Sequence, residues 1–203
     1  MSWLSREFAE QQYAVVSDEL RGIYPDVYLV FLEAMASVSP KTSLLDIGCG
    51  VGGYGFVCKK SFHKMRYMGT DISKHMVEFA GGILPGGDFR TCEFFDNFEL
   101  DYASDADVIL ASGSMEYTEA PFEALHALLW QTHATIILHR LHLTPESSHE
   151  VSELAYCDEH INKMHWNKQE LCDTISTTRK ISWMKEWTRK RSMLTLVIES
   201  DAH

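Results

Sequence analysis

Apolar and polar positions follow a helical rhythm up to Val38. Leu20, Ile23, Val27, Val30 and Phe31 recur at the spacing that lines one helix face, and Gly22 and Pro25 split the segment into two helices. After a connector over 39–42, short apolar runs alternate with helix-length segments. Residues 43–48 read as a buried parallel strand running into glycines, and 53–63 as a helix. A second strand spans 66–71. Ser73 is a suitable N-cap for a helix over 74–80 that Gly81 and Gly82 stop. Residues 88–94 and 107–111 are a third and fourth strand. A helix over 121–131, with Pro121 in its first turn, precedes a fifth strand over 134–139.

This alternation predicts an α/β, doubly wound, mostly parallel sheet with helices on both faces. The last third departs from it. Residues 142–166 are polar, His-rich and without clear period. Asn167 reads as the N-cap of a helix over 168–175. Two strand-like runs, 180–188 and 193–199, are separated only by Arg189-Lys190-Arg191, too short for a parallel crossover, so they form an antiparallel hairpin. The expected architecture is one domain over 1–203 with a seven-stranded sheet. It comprises an N-terminal helical cap (1–42), a cofactor-binding core (43–140), and a final part (141–203) holding a lid segment, a helix and the terminal hairpin.

A length of 203 residues with 45% hydrophobic and 23% charged positions suits one soluble globular domain and excludes a mainly disordered chain. No apolar stretch reaches the roughly 20 residues of a membrane helix, so no membrane insertion is expected. The first residues lack a basic region followed by an apolar core, which predicts a cytoplasmic protein. Five cysteines, widely spaced and without C-x-x-C, read as reduced thiols. A net charge of −11 repels phosphate backbones and makes nucleic acid a poor partner. Oligomeric state stays open.

The candidate chemistry starts at Asp46-Ile-Gly48-Cys49-Gly50-Val-Gly52-Gly53. Glycines between a strand and a helix let a ligand approach the backbone and the free N–H groups of the helix start. Asp71, ending the second strand, can accept hydrogen bonds from both hydroxyls of a ribose and disfavours a 2′-phosphate. The spacing also satisfies the dinucleotide fingerprint G-x-G-x-x-G. The D-x-G-x-G form is sharper. It resembles motif I of the class I, seven-stranded Rossmann-like S-adenosylmethionine-dependent methyltransferases, and the resemblance runs over roughly 43–198. Asp71 in Gly-Thr-Asp-Ile-Ser lies where that family places its ribose-binding acid. Glu93, or Cys92 beside it, falls near the adenine-side position, and 107–117 resembles the motif IV region. The run Ser112-Gly-Ser-Met-Glu-Tyr117, with the strand ending at His139-Arg140, also looks like methyltransferases associated with bacterial surface-polysaccharide synthesis.

The resemblance implies S-adenosyl-L-methionine as cofactor, bound by Asp46, Gly48, Cys49, Gly50, Gly52, Asp71, Ile72, Glu93 and Ser112. It implies methyl transfer to a small-molecule acceptor. Ser112, Ser114, Glu116, Tyr117, His139, Arg140 and His142 follow strands four and five, on the edge where open α/β sheets bind ligands, and are rich in groups that bond hydroxyls. O-methylation is therefore favoured, with His142 first and His139 second as the general base. Tyr13, Tyr28 and Trp166 are candidates for pocket walls. His149, His160 and His165 lack metal spacing, and no metal site is expected. Two other classes compete. A short-chain oxidoreductase needs Y-x-x-x-K, which the chain lacks, and a non-catalytic methyltransferase-like binding module keeps the fold without the reaction.

Overall fold

The computed structural model describes residues 4–38, 41–93, 106–154, 160–189 and 191–200. Two helices, α1 (Arg6–Arg21) and α2 (Asp26–Ser37), precede β1 (Ser43–Ile47), α3 (Gly53–Ser61), β2 (Arg66–Asp71), α4 (Lys74–Ile83), β3 (Asp88–Thr91) and β4 (Val108–Ser112). A single 3-10 turn (Met115–Tyr117) leads to α5 (Pro121–Gln131). Then come β5 (Thr135–Thr144), β6 (His149–Leu154), β7 (His160–Asn167), α6 (Lys168–Ser176), β8 (Ile181–Thr188) and β9 (Ser192–Ile198).

The parallel strands run in the order β3-β2-β1-β4-β5, and the terminal hairpin joins through β9, antiparallel to β5. This is the doubly wound fold with N-terminal helices that the alternation predicts. β1 and β4 are buried at every position, as strands covered by helices on both faces must be. On one face α2 and α3 place Phe31, Ala34, Tyr54 and Val57 against Leu44, Leu110, Ile137 and Val197. On the other, Leu125 and Leu128 of α5 and Leu171 and Ile175 of α6 cover Leu45, Ile109, Leu138 and Leu196. At the amino edge Asp107 ties the strands together. One of its carboxylate oxygens accepts from the N–H and hydroxyl groups of Thr42 and Ser43 at 2.8–3.0 Å.

Several boundaries differ from expectation. α4 runs through Gly81 and Gly82 to Ile83, because each helical glycine costs only about 1 kcal/mol and Met76 and Ala80 anchor the helix by burial. β3 ends at Thr91, and Phe94 lies outside the described residues, as do Cys157 and Lys190. Among the described residues the sheet has nine strands, not seven. β5 does not stop at His139 but continues to Thr144, and 142–166 is not irregular: its described residues hold the end of β5 and the antiparallel pair β6 and β7. The extension is possible because β5 bulges. Leu138 pairs with Leu196 and Leu141 with Leu194, so two residues, His139 and Arg140, oppose Thr195. Arg140 takes φ +65°, the one positive-φ non-glycine among the described residues. β4 ends opposite His139, and beyond it β7 pairs with Leu143 and Thr144 of β5. The hairpin thus rises beside the carboxyl edge, against the 3-10 turn that follows β4.

No helix among the described residues is long and apolar enough to cross a membrane. Cys49, Cys58 and Cys172 are free thiols.

Candidate active site

The glycine turn is built by backbone geometry. Gly48, Gly50 and Gly52 have φ of +72°, +53° and +84°, a region that side chains resist. At Gly48 a Cβ would also lie 2.4 Å from the Cβ of Ser114, so only glycine lets this turn pass the segment after β4. The N–H groups of Gly48 and Cys49 donate to the Thr70 carbonyl, which docks the turn on β2. The N–H of Gly50 donates to Asp71 Oδ2, and that of Ser73 to Asp71 Oδ1, both at 2.9 Å. Each carboxylate oxygen of Asp71 keeps a lone pair for a ligand. Burial raises the Asp71 pKa, and the two N–H groups oppose that rise.

Asp46 lies beneath the turn with no solvent exposure. The Tyr67 hydroxyl donates to its Oδ2 at 2.5 Å, while Oδ1 has no partner among the described residues. Burial raises its pKa to about 7, against the lowering effect of Tyr67. Ile72 is half-buried beside Asp71. α1 closes over this region: Phe8 and Ala9 pack with Val51 and Met76, Tyr13 lies on Phe79, and the position of a Cβ on Gly50 is 3.5 Å from Gln12 Oε1.

Cys49, Ser112 and Glu93 complete the set read as donor-binding. Cys49 is buried, and its sulfur lies 2.9 Å from where a Cβ on Gly69 would be, so the side chain fills space under the turn. Ser112 is buried, and its hydroxyl donates to the Tyr54 hydroxyl at 2.8 Å rather than facing the glycine turn. Glu93 is exposed, two residues past the end of β3.

The edge after β4 and β5 gathers charged groups out of water. Glu116 is 2% exposed, neither carboxylate oxygen has a hydrogen-bond partner among the described residues, and burial raises its pKa against the pull of Lys163. Lys163 of β7 is 4% exposed, lies 5.0 Å from the centre of the Tyr117 ring, and is lowered to about 8 by burial, which Glu116 partly offsets. Arg140 hydrogen-bonds Tyr54 and lies against Gly113.

The two candidate bases separate. His139 is completely buried: Nε2 is 2.9 Å from the Val27 carbonyl and Nδ1 2.8 Å from Thr195 Oγ1, and the ring stacks on Trp187. Both nitrogens are engaged and burial lowers its pKa to about 3, so His139 is a structural residue and not a base. His142 lies past the bulge on the same face. Its Nδ1 is buried without a partner among the described residues, its ring lies 5.5 Å from that of His165, and burial, then Lys163, lowers its pKa to about 3. Trp166 is not a pocket wall but a fully buried core residue against Phe122, and Tyr28 packs on Tyr54.

Other site residues escape linear reading. Tyr67 and Gln12 carry no motif. Glu153, Lys163 and His165 lie in the segment without clear period, and cross-strand pairing alone brings them to His142. Against the expectation of no metal site, His142, Glu153 and His165 each place a potential ligand atom within 4.8 Å of the others.

Residues 45–130 match the family model of a methyltransferase domain. No curated protein matches the chain. Solved structures resemble it over most of its length. The 1,6-didemethyltoxoflavin-N1-methyltransferase of Burkholderia thailandensis, with 1,6-didemethyltoxoflavin and S-adenosylhomocysteine bound, gives a TM-score of 0.68 at 12% identity over 97% of this chain and 87% of that one. An S-adenosylmethionine-dependent methyltransferase from Clostridium acetobutylicum gives 0.67 at 10% over 95% and 99%. The magnesium protoporphyrin IX methyltransferase of Synechocystis, with S-adenosylmethionine bound, gives 0.57 at 14% over 96% and 79%. The chain therefore has the Rossmann-like methyltransferase fold, and its residues 45–130 match a methyltransferase domain.

Proposed function

We propose that the protein transfers the methyl group of S-adenosylmethionine to an oxygen of a small polar acceptor. The observation that carries this reading is the glycine turn with its two carboxylates: three left-handed glycines at the start of α3, Asp71 fixed on the Gly50 N–H, and a buried Asp46 oxygen without a partner. The family match over 45–130 and the donor or its product in two of the similar structures support it.

The residues fit the donor. Gly48, Gly50 and Gly52 admit its methionyl part against the backbone, and the free Asp46 oxygen suits its ammonium group, directly or through water. The lone pairs of Asp71 suit the ribose hydroxyls, with Ile72 flanking the base. When bound, the donor supplies a sulfonium methyl whose leaving group is a neutral thioether. The chain's own part is to hold, orient and exclude water. α1 covers the turn through Phe8, Ala9 and Gln12. Glu116, Arg140 and Lys163 offer the acceptor both signs of charge. His142 is the remaining histidine for the acceptor's proton, although a group held near 3 is a weak base at neutral pH.

Calorimetric titration with S-adenosylhomocysteine and, separately, NAD tests the reading. Saturable binding of the first and none of the second is expected. Tight NAD binding without S-adenosylhomocysteine binding would falsify it. A non-catalytic module would bind the donor yet transfer no methyl group to any member of a panel of hydroxylated acceptors.

A further inference from the structure

We infer that His142, Glu153 and His165 form a binding site for a divalent late first-row metal ion, of the zinc or cobalt kind, at the acceptor end of the carboxyl edge. The site deepens the function proposed above. Its use at an acceptor oxygen rests on that reading, but its existence does not.

Three strands build it: β5 past its bulge supplies His142, β6 supplies Glu153, and β7 supplies His165. One nitrogen or oxygen from each lies within 4.8 Å of the others. Metal bonds of about 2.0–2.2 Å leave neighbouring ligand atoms roughly 3–3.5 Å apart in a tetrahedron, so small side-chain rotations close the set. One pair is already close, with His165 Nε2 2.7 Å from Glu153 Oε1. Two imidazoles and one carboxylate are the donors that zinc, cobalt, nickel and iron favour over magnesium or calcium. Three protein ligands leave a coordination position open for water or an acceptor oxygen.

The cluster is unfinished as protein alone. Among the described residues His142 Nδ1 is buried without a partner, although its ring faces a histidine and a carboxylate can be reached. A buried polar atom left so is costly unless an ion or water completes it. Neighbouring groups set the ligands in place. Arg191 also holds Glu153, so that carboxylate is positioned from two sides, by Arg191 and by His165. The charges of Lys163 and Arg191 oppose a dication, and Glu153 and Glu116 offset them. His149 is near, its ring 6.3 Å from that of His165, but its Nδ1 is tied to the Ser147 carbonyl. An occupied site makes His142 a ligand rather than a proton acceptor.

The test uses the untagged full chain, freed of metal by chelator and titrated with cobalt(II) chloride. Visible absorption follows coordination, and calorimetry with zinc chloride gives stoichiometry. One ion per chain is expected, with zinc displacing cobalt. His142→Ala and Glu153→Gln should each weaken binding by about tenfold or more, while His149→Ala leaves it within about twofold. S-adenosylhomocysteine titration and far-UV dichroism of each variant check that the fold persists. His142 contributes no bond through Nδ1, so its removal should leave the hairpin intact. Absence of stoichiometric binding overturns the proposal, as does binding that His142→Ala and Glu153→Gln both leave unchanged. Cobalt binding without S-adenosylhomocysteine binding would instead defeat the donor reading and leave the metal site standing.

Discussion

Replacing His139 with alanine should damage the fold rather than a proton-transfer step, and the structure sets the size of the effect. The Val27 carbonyl can only accept, so Nε2 carries the ring proton and donates to it. Nδ1 then accepts from the Thr195 hydroxyl, whose oxygen in turn takes the Trp187 indole N–H at 3.0 Å. His139→Ala leaves the Val27 carbonyl and the Thr195 hydroxyl short of a partner, at about 1–3 kcal/mol each. It also opens a cavity beside Phe31, Tyr54 and Trp187. A total near 3–5 kcal/mol lowers the melting temperature by roughly 10 °C for a chain of this length. The pH dependence is the sharper test. His139 titrates near 3 in the folded chain and near 6.5 when unfolded, so its contribution is complete above the unfolded value and falls as pH drops through the window between them. The loss is up to about 1.4 kcal/mol per pH unit, so the gap between wild type and variant should shrink by about 2 kcal/mol from pH 7.5 to pH 5. Thermal and urea unfolding of both proteins at the two pH values measures this. A gap that is equal at both would refute the buried neutral imidazole, and a variant of unchanged stability would refute the network itself.

Asp71→Ala should lower S-adenosylhomocysteine affinity by about tenfold or more in calorimetry, since each hydrogen bond to the charged carboxylate is worth about 1.5–3 kcal/mol; unchanged affinity would remove Asp71 from the site. Gly48→Ala forces a Cβ to within 2.4 Å of Ser114 and strains a φ of +72°, so donor binding should be lost and melting should fall by several degrees. Asp107→Ala frees the N–H groups of Thr42 and Ser43. The bonds to them hold the carboxylate below its ordinary range despite burial, so wild-type stability from this group is present above the unfolded pKa near 3.9 and fades as pH falls through it. The variant should melt lower at pH 7, with the difference narrowing toward pH 3. Amide exchange in α1 should slow when S-adenosylhomocysteine is added, and unchanged exchange there would count against α1 as a cover.

The core was legible because its chemistry is strong and local. β1 and β4 are continuous apolar runs that match full burial, and Ser73, Pro121 and Asn167 mark helix starts that the structure keeps. The glycine turn and Asp71 were legible for the same reason, since backbone demand leaves few residue choices. The β6–β7 hairpin was not. β6 is nowhere fully buried, and its apolar positions are only Val151 and Leu154, so period-two patterning is too weak to read. The end of β3 was read too late, because the strand stops at Thr91 and leaves Glu93 exposed beyond it. The cluster of His142, Glu153 and His165 had no linear signal at all, since it exists only once three strands are side by side.

The short run His139-Arg140-Leu141-His142 shows how one local irregularity divides labour. In a regular strand successive side chains alternate, and residues three apart face opposite sides. The extra residue at the bulge shifts the alternation by one. Leu141 therefore returns to the core side with Leu138, beneath α5, and His142 shares the face of His139. The two histidines still meet different neighbours. His139 is opposite the end of β4 and under α2, where packing consumes both nitrogens. His142 lies beyond the end of β4, where β7 has replaced it and supplies Lys163 and His165. The cost is concentrated at Arg140, whose left-handed backbone is unfavourable by about 1–2 kcal/mol. Such strain persists only where surroundings hold it, and here the guanidinium is held by Tyr54 and lies against Gly113, itself at φ +57°. The bulge thus carries a core strand on past the end of β4 to pair with β7. That is why the histidine in the middle of β5, opposite the end of β4, serves the fold, while the one three residues later lies beside Lys163 and His165.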